Sequence, residues 1–231
     1  NAVNIAEYRI LGGEPFFQPE LEENIKFFFN NPCPDTKFTI FSNLKIKNDR
    51  MRKLLDKVIE LKKINHIAGF KIVCSFDCWG AEQEYIRTGL NLNQWEENFL
   101  TLLHDYPSID IHIHGTLISL TMQTLPVFCE KIARWNNIRH ITHTINFVNN
   151  QPYMDVGIFP NGFFDKEFDK CIELHNDSKT IQFLQGYKYK VNNQKYDPNK
   201  IKKLKTTLDN IDKRRGTNWK TLWPWLDNYE V

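Results

Sequence analysis

The first readable pattern along the chain is an alternation. Residues 5 to 10, "IAEYRI", put apolar and polar side chains on opposite sides, as a strand buried on one face does. "KFTIFSN" (37 to 43), "GFKIVCSFD" (69 to 77), "IDIHIHGTLI" (109 to 118) and "IRHITHTINFV" (138 to 148) are further strand-like runs. Between them the period becomes helical. Leu21, Ile25 and Phe28 share one face of residues 18 to 30. Met51, Leu54, Leu55, Val58, Leu61 and Ile64 share one face of a helix that starts at Asn48, or at Asp49 as its N-cap. Residues 93 to 106 and 121 to 136 read the same way, as does "PNKIKKLKTTLDNIDKRR", with Pro198 at its start and Ile201, Leu204, Leu208 and Ile211 at helical spacing. Strands alternating with helices call for crossovers, and crossovers make strands parallel. The predicted class is α/β. In such a sheet the loops at the carboxyl ends share one opening, so a ligand is expected near Gly12-Gly13-Glu14, Ser42-Asn43, Ser75 to Asp77 and Val148-Asn149.

Composition narrows the organisation. A chain of 231 residues, 41% hydrophobic and 25% charged, suits one main domain with an appendage. The division expected is a body over 1 to 160 and an extension over 161 to 231 with a basic helix and a Trp-rich end. No apolar run reaches the roughly eighteen residues of a membrane span, so no membrane partner is expected. The chain starts without Met just ahead of a strand and is expected to be a fragment. Cys33, Cys74, Cys78, Cys129 and Cys171 lack paired spacing, which favours a reducing, cytoplasmic setting. The net charge of +2 hides an asymmetry: residues 188 to 220 hold eleven Lys or Arg against three Asp, leaving about −6 elsewhere.

Three groups of residues carry candidate chemistry. The glycines of "LGGEP" bare the backbone, permit positive φ and lead into Pro15, which can open a helix; alone they describe a tight strand-to-helix turn. Ser75 at a strand end and Arg87 in "EYIRTG" together suit a carboxylate, which a planar guanidinium pairs bidentately. His112 and His114 point the same way on a strand, as a metal site wants, and "IDIHIHG" looks like the first-strand motif of the amidohydrolase superfamily, with zinc activating a water. Only 117 residues follow His114, too few for the seven βα units that superfamily requires, and no acidic ligand is obvious. The alternative makes both histidines polar residues on an inner strand face, with Ile109, Ile111 and Ile113 against helices. In the tail, Tyr187, Tyr189, Tyr196 and Trp219 are interleaved with cations, a composition suited to a nucleic-acid or acidic-peptide partner. The same run also reads as the solvated face of a helix.

Taken in order, "LGGEP", "FSN", "CSFD", "EYIRTG" and "LDNIDKRRGTNWKTLWP" resemble the radical S-adenosylmethionine enzymes, in particular the branch with a shortened, twitch-type C-terminal extension. The resemblance implies a partial (β/α)6 TIM-like barrel, here without its first βα unit. It implies an enzyme in which a [4Fe–4S] cluster reduces S-adenosylmethionine to a 5′-deoxyadenosyl radical that abstracts hydrogen from a substrate. Carried over, Gly12, Gly13, Glu14 and Pro15 hold the methionyl amino group, while Ser75 and Arg87, twelve residues apart, hold the carboxylate. Asp77 belongs to the same shell and Val148 contacts the adenine. The implied partners are S-adenosylmethionine, a substrate such as a peptide or nucleotide, and a reductant such as flavodoxin or ferredoxin. The family's C-x3-C-x2-C motif lies upstream of this turn, and only ten residues precede Leu11. Cys74-x3-Cys78 copies half of that spacing, but Ala81 stands where the third cysteine belongs. The cluster ligands are therefore expected upstream, this stretch alone is expected to be inactive, and an auxiliary cluster is not expected, because Cys171 is the only cysteine in the last third.

Overall fold

The computed structural model describes residues 5–230. Strands β1 (Glu7–Ile10), β2 (Cys33–Ser42), β3 (Ile67–Ser75), β4 (Ile109–Leu117) and β5 (Thr142–Phe147) stand in sequential order in one parallel sheet. The chain between them forms α1 (Pro19–Asn30), α2 (Asn48–Lys63), a short α3 (Ala81–Ile86) followed by α4 (Leu92–Asp105), and α5 (Leu125–Asn136). The α/β class read from the alternation of strand and helix is the class observed.

The register sorts the side chains into two unlike faces. One carries the rows Tyr8–Phe38–Phe70–Ile109, Ile10–Ile40–Ile72–Ile111 and Ser42–Cys74–Ile113. Phe38, fully buried, lies 5.8 Å from the Tyr8 ring, 5.3 Å from Phe28 of α1 and 5.2 Å from Phe70. Ile109, Ile111 and Ile113 belong to this packed face and are buried. The opposite face carries Glu7–Lys37–Gly69, then Arg9–Thr39–Lys71–Asp110, then Phe41–Val73–His112, then Ser75–His114. Parallel sheets usually bury both faces under apolar residues. This one keeps one face largely polar.

Two compact units interleave along the sequence. The first comprises the stretch ending at Phe76, then Leu90–His114 and Trp135–Thr144. Its aromatic core runs from Phe76 to Trp95 (3.9 Å between ring centroids), Phe99 (4.9 Å from Trp95) and Trp135 (4.4 Å from Phe99). The second comprises Asp77–Gly89, Gly115–Arg134 and everything from Ile145. It contains α6 (Asp165–Leu174), α7 (Ser178–Asn192), α8 (Pro198–Arg215), α9 (Trp219–Leu222) and α10 (Pro224–Asp227). These units do not follow a cut at residue 160. The tail belongs with earlier segments because Trp223 donates from Nε1 to the Leu120 carbonyl (2.8 Å), and Tyr85 donates its hydroxyl to Asp212 (2.9 Å).

Several boundaries differ from those predicted. Helix α2 starts at Asn48, one of the two starts predicted, but its N-cap is Lys47 and not Asp49, and the Asn48 amide donates to Asn98 Oδ1 (3.0 Å) and Thr101 Oγ1 (2.9 Å). Helix α5 starts at Leu125, preceded by a 3-10 turn over Ser119–Thr121. Residues 138 and 139 are lost to β5 because both amides donate to the Trp135 carbonyl at the end of α5. Helices α3, α6 and α7 have no counterpart among the predicted elements: α3 has six residues, and α7 breaks its apolar stripe at Gly186. Short or weakly amphipathic helices owe their stability to packing rather than to pattern. Truncating Phe38 to Ala should cost about 3–5 kcal/mol of unfolding free energy in urea titrations, the penalty for a buried aromatic.

Candidate functional site

The turn after β1 is built around a buried acid. Gly12 and Gly13 have φ of +100° and +59°, a region that suits residues without a Cβ, and both are exposed. Pro15 opens a 3-10 turn, Pro15–Phe17, capped by Glu14. The Glu14 side chain is drawn in toward β2: its Oε1 accepts from Ser42 Oγ (2.7 Å) and its Oε2 from the Asn43 amide (2.7 Å). It also accepts from the Phe16 amide at 3.4 Å. "LGGEP" and "FSN", separate in sequence, are thus one cluster. Burial pushes the Glu14 carboxyl above its ordinary range, against the pull of these three hydrogen bonds.

The second unit contains a cavity of about 360 Å³. Asp77, Arg87 and Val148 all line it, although they come from three separate stretches of sequence. Local hydrogen bonds position the first two. Gln83, fully buried at the start of α3, accepts from the amides of Asp77 (3.2 Å) and Cys78 (3.1 Å), folding α3 back onto the loop after β3. Arg87, just past α3, then meets Asp77 as a fork, Nε to Oδ2 at 2.8 Å and Nη2 to Oδ1 at 3.0 Å. Asp77 Oδ1 also accepts from the Thr116 amide at 2.8 Å. The remaining walls are mostly apolar, with Ile118, Leu120, Leu208 and Ile211 among them, and Arg215 and Gln151 add polar edges.

The end of α8 completes this wall, a role that local sequence does not announce. Asp212 accepts from Tyr85 Oη, from Thr217 Oγ1 (2.5 Å) and from the Trp219 amide (2.6 Å), while Arg215 donates to the Tyr85 carbonyl (3.0 Å). Burial, then the hydrogen bond to Asp212, pushes the Tyr85 phenol well up. The run "LDNIDKRRGTNWKTLWP" holds this information as Asp212, Arg215 and Trp219, but nothing local in it names Tyr85 as their partner.

The remaining candidate residues fall elsewhere. Ser75 ends β3, half-buried, with His114 as its register partner. His112 is held between two hydroxyls, Nδ1 at 2.6 Å from Thr142 Oγ1 and Nε2 at 2.9 Å from Thr144 Oγ1. Burial, then the charges of Lys71 and His114, lowers its pKa to about 4. Among the described residues no three His, Cys, Asp or Glu side chains are grouped to hold a metal ion. All five cysteines are buried, and burial pushes the Cys74 and Cys78 thiols up, away from the thiolate a cluster needs. In the tail, Tyr187 and Trp219 are core residues. Lys188 pairs with Asp169 (2.7 Å) and Lys205 donates to the carbonyls of Asp227 and Tyr229, so part of the basic charge holds the fold together. Among the described residues no helix is long and apolar enough to cross a membrane.

Compared with models of known families, with curated proteins and with solved structures, the chain finds no match.

Arg87→Ala leaves Asp77 buried with only the Thr116 amide, and it should lower stability by about 3 kcal/mol in chemical denaturation. Glu14 predicts a pH effect of definite sign. Its folded pKa lies above the ordinary 4.5, so in the window from there to the raised value the folded state holds a proton that the unfolded chain has released. Stability from this group therefore falls as pH rises through that window. Urea midpoints measured across it should slope less in Glu14→Gln than in the unaltered chain.

Proposed function

We propose that the chain is the S-adenosylmethionine-handling part of a radical S-adenosylmethionine enzyme, built on a partial (β/α)6 TIM-like barrel. The observation that carries this reading is the convergence of Asp77, Arg87 and Val148 on one cavity. Its volume of about 360 Å³ falls at the lower end for small-molecule sites, and its apolar walls with a few polar groups suit a nucleoside. Sequential strand order supports the barrel reading, since same-handed crossovers between neighbouring strands put the helices on one side and leave the other as a concave face.

Bound S-adenosylmethionine, reduced by an iron–sulfur cluster, would supply a radical for hydrogen abstraction. The five buried cysteines do not fit such a cluster, so in this reading its thiolates lie outside these 231 residues. The chain's own residues bind and orient. Val148 and the neighbouring aliphatic side chains would flank the adenine. A guanidinium has five N–H groups, and the Asp77 fork takes two of Arg87's; the other three are available to a methionyl carboxylate. Asp77 acts as a positioning residue that fixes the guanidinium plane. In the first unit, the turn at Gly12 and Gly13 keeps its backbone exposed, and the buried Glu14 holds that turn in shape. The reductant, a flavodoxin or ferredoxin, and a peptide or nucleotide substrate remain part of the same proposal.

The hydrolase reading of His112 and His114 gains nothing comparable, since both nitrogens of His112 already face threonine hydroxyls. The test is anaerobic reconstitution of the full-length protein with iron and sulfide, followed by dithionite. Release of 5′-deoxyadenosine and methionine is expected, and filling the cavity with Val148→Trp should reduce it by about tenfold or more. A reconstituted protein that leaves S-adenosylmethionine intact would overturn the proposal.

A further inference from the structure

The polar face of the sheet holds one more cation than it has acids, and its chemistry is independent of the cofactor reading. Glu7, Arg9, Lys37, Lys71 and Asp110 share that face. Arg9 pairs with Glu7 (2.5 Å), whose other oxygen accepts from Thr39 Oγ1 (2.8 Å). Lys37 pairs with Asp110 (2.5 Å). Both acids are thereby neutralised. Lys71, half-buried on β3 in the row between Thr39 and Asp110, has no carboxylate within ion-pair distance among the described residues.

Toward β5, Lys71 is followed on this face by groups held in place. His112 Nδ1 lies 2.6 Å from Thr142 Oγ1, which is also 3.4 Å from the Ile111 carbonyl, and its Nε2 lies 2.9 Å from Thr144 Oγ1, which is also 3.4 Å from His114 Nδ1. His112 is thus committed on both sides, and its lowered pKa keeps it uncharged beside Lys71 at neutral pH. Of the three cations on this half-buried face, Lys71 is the one that forms no ion pair among the described residues; its charge reaches Glu7 only behind the Arg9 and Thr39 hydrogen bonds that hold that carboxyl below its ordinary range.

We propose that this face is a binding site for a small oxyanion-bearing ligand, a phosphomonoester or a carboxylate, with the Lys71 ammonium as its anchor and the Thr142–His112–Thr144 array as a neutral wall beside it. Lysine serves such groups as a point charge on a long stem, and the stem can lie along the sheet while the head meets the ligand. Charge complementarity selects the occupant: an anionic group gives Lys71 its missing partner, whereas a cation would face a surface whose acids are already paired.

The experiment is a titration of the chain with inorganic phosphate and, separately, with acetate, at ionic strength held constant with chloride and followed by amide chemical shifts. Saturable changes confined to the segments around Lys71, His112 and Thr144 are expected, with a Kd on the order of 1 mM. The anion that saturates at lower concentration identifies the class. Lys71→Gln should weaken binding about tenfold, the weight of one hydrogen bond to a charged group, while Lys71→Arg and the control Lys53→Gln on α2 should retain it. Non-saturating shifts, shifts spread over the basic tail, or equal binding by Lys71→Gln would overturn the proposal. The shift map of the unaltered chain decides the matter even if Lys71→Gln fails to fold. Because neither S-adenosylmethionine nor a cluster takes part, failure here is distinguishable from failure of the radical-enzyme reading.

Discussion

Strict alternation of side chains across a parallel sheet is the constraint on which the rest of this molecule depends. A strand residue has no choice of face once its register is set. Here the register from β1 to β4 runs unbroken over the rows that matter, so parity alone sends Tyr8, Phe38, Phe70 and Ile109 to the packed side and Arg9, Thr39, Lys71 and Asp110 to the other. Slipping β3 by one residue would bury Lys71 and expose Phe70. The aromatic contacts of Phe38 therefore guard the polar face as much as they stabilise the core.

The second theme is how acids are used at the ends of strands. Glu14 and Asp77 follow β1 and β3, and each is almost fully buried and hydrogen-bonded on both oxygens. Their partners differ in kind. Glu14 has a hydroxyl and backbone amides, which carry no full charge, and burial dominates its titration. Asp77 has a guanidinium, and both members of the pair line the cavity. Similar strand-end carboxylates thus do different work: one shapes a turn, the other aims a cation.

The sheet was legible because its strands carry clean period-two runs and its long crossover helices clean apolar stripes. The C-terminal half of the second unit was not. Helix α6 offers the core little beyond Phe168 and Cys171, and α7 interrupts its stripe with Gly186, so tertiary contacts decide where those helices form. The candidate site was legible residue by residue but not as pairs. Arg87 read naturally as a ligand contact, yet its nearest partner is Asp77, ten residues back, and Asp77 is joined to Thr116, thirty-nine residues ahead. Tyr85 and Asp212 meet across 127 positions. Nothing in local spacing encodes such meetings.

Gly69 marks an open place on the polar face. It stands opposite Lys37 on the polar face, and no atom lies within 4 Å of where its Cβ would be. Lys37 of β2 pairs across the middle strand with Asp110 of β4, bracing two strands that share no ladder. The strut consumes the one acid nearest Lys71 in its own row. The strut thus settles which lysine of this surface is matched with an acid and which is not, so the charge pattern follows from a pairing that skips a strand.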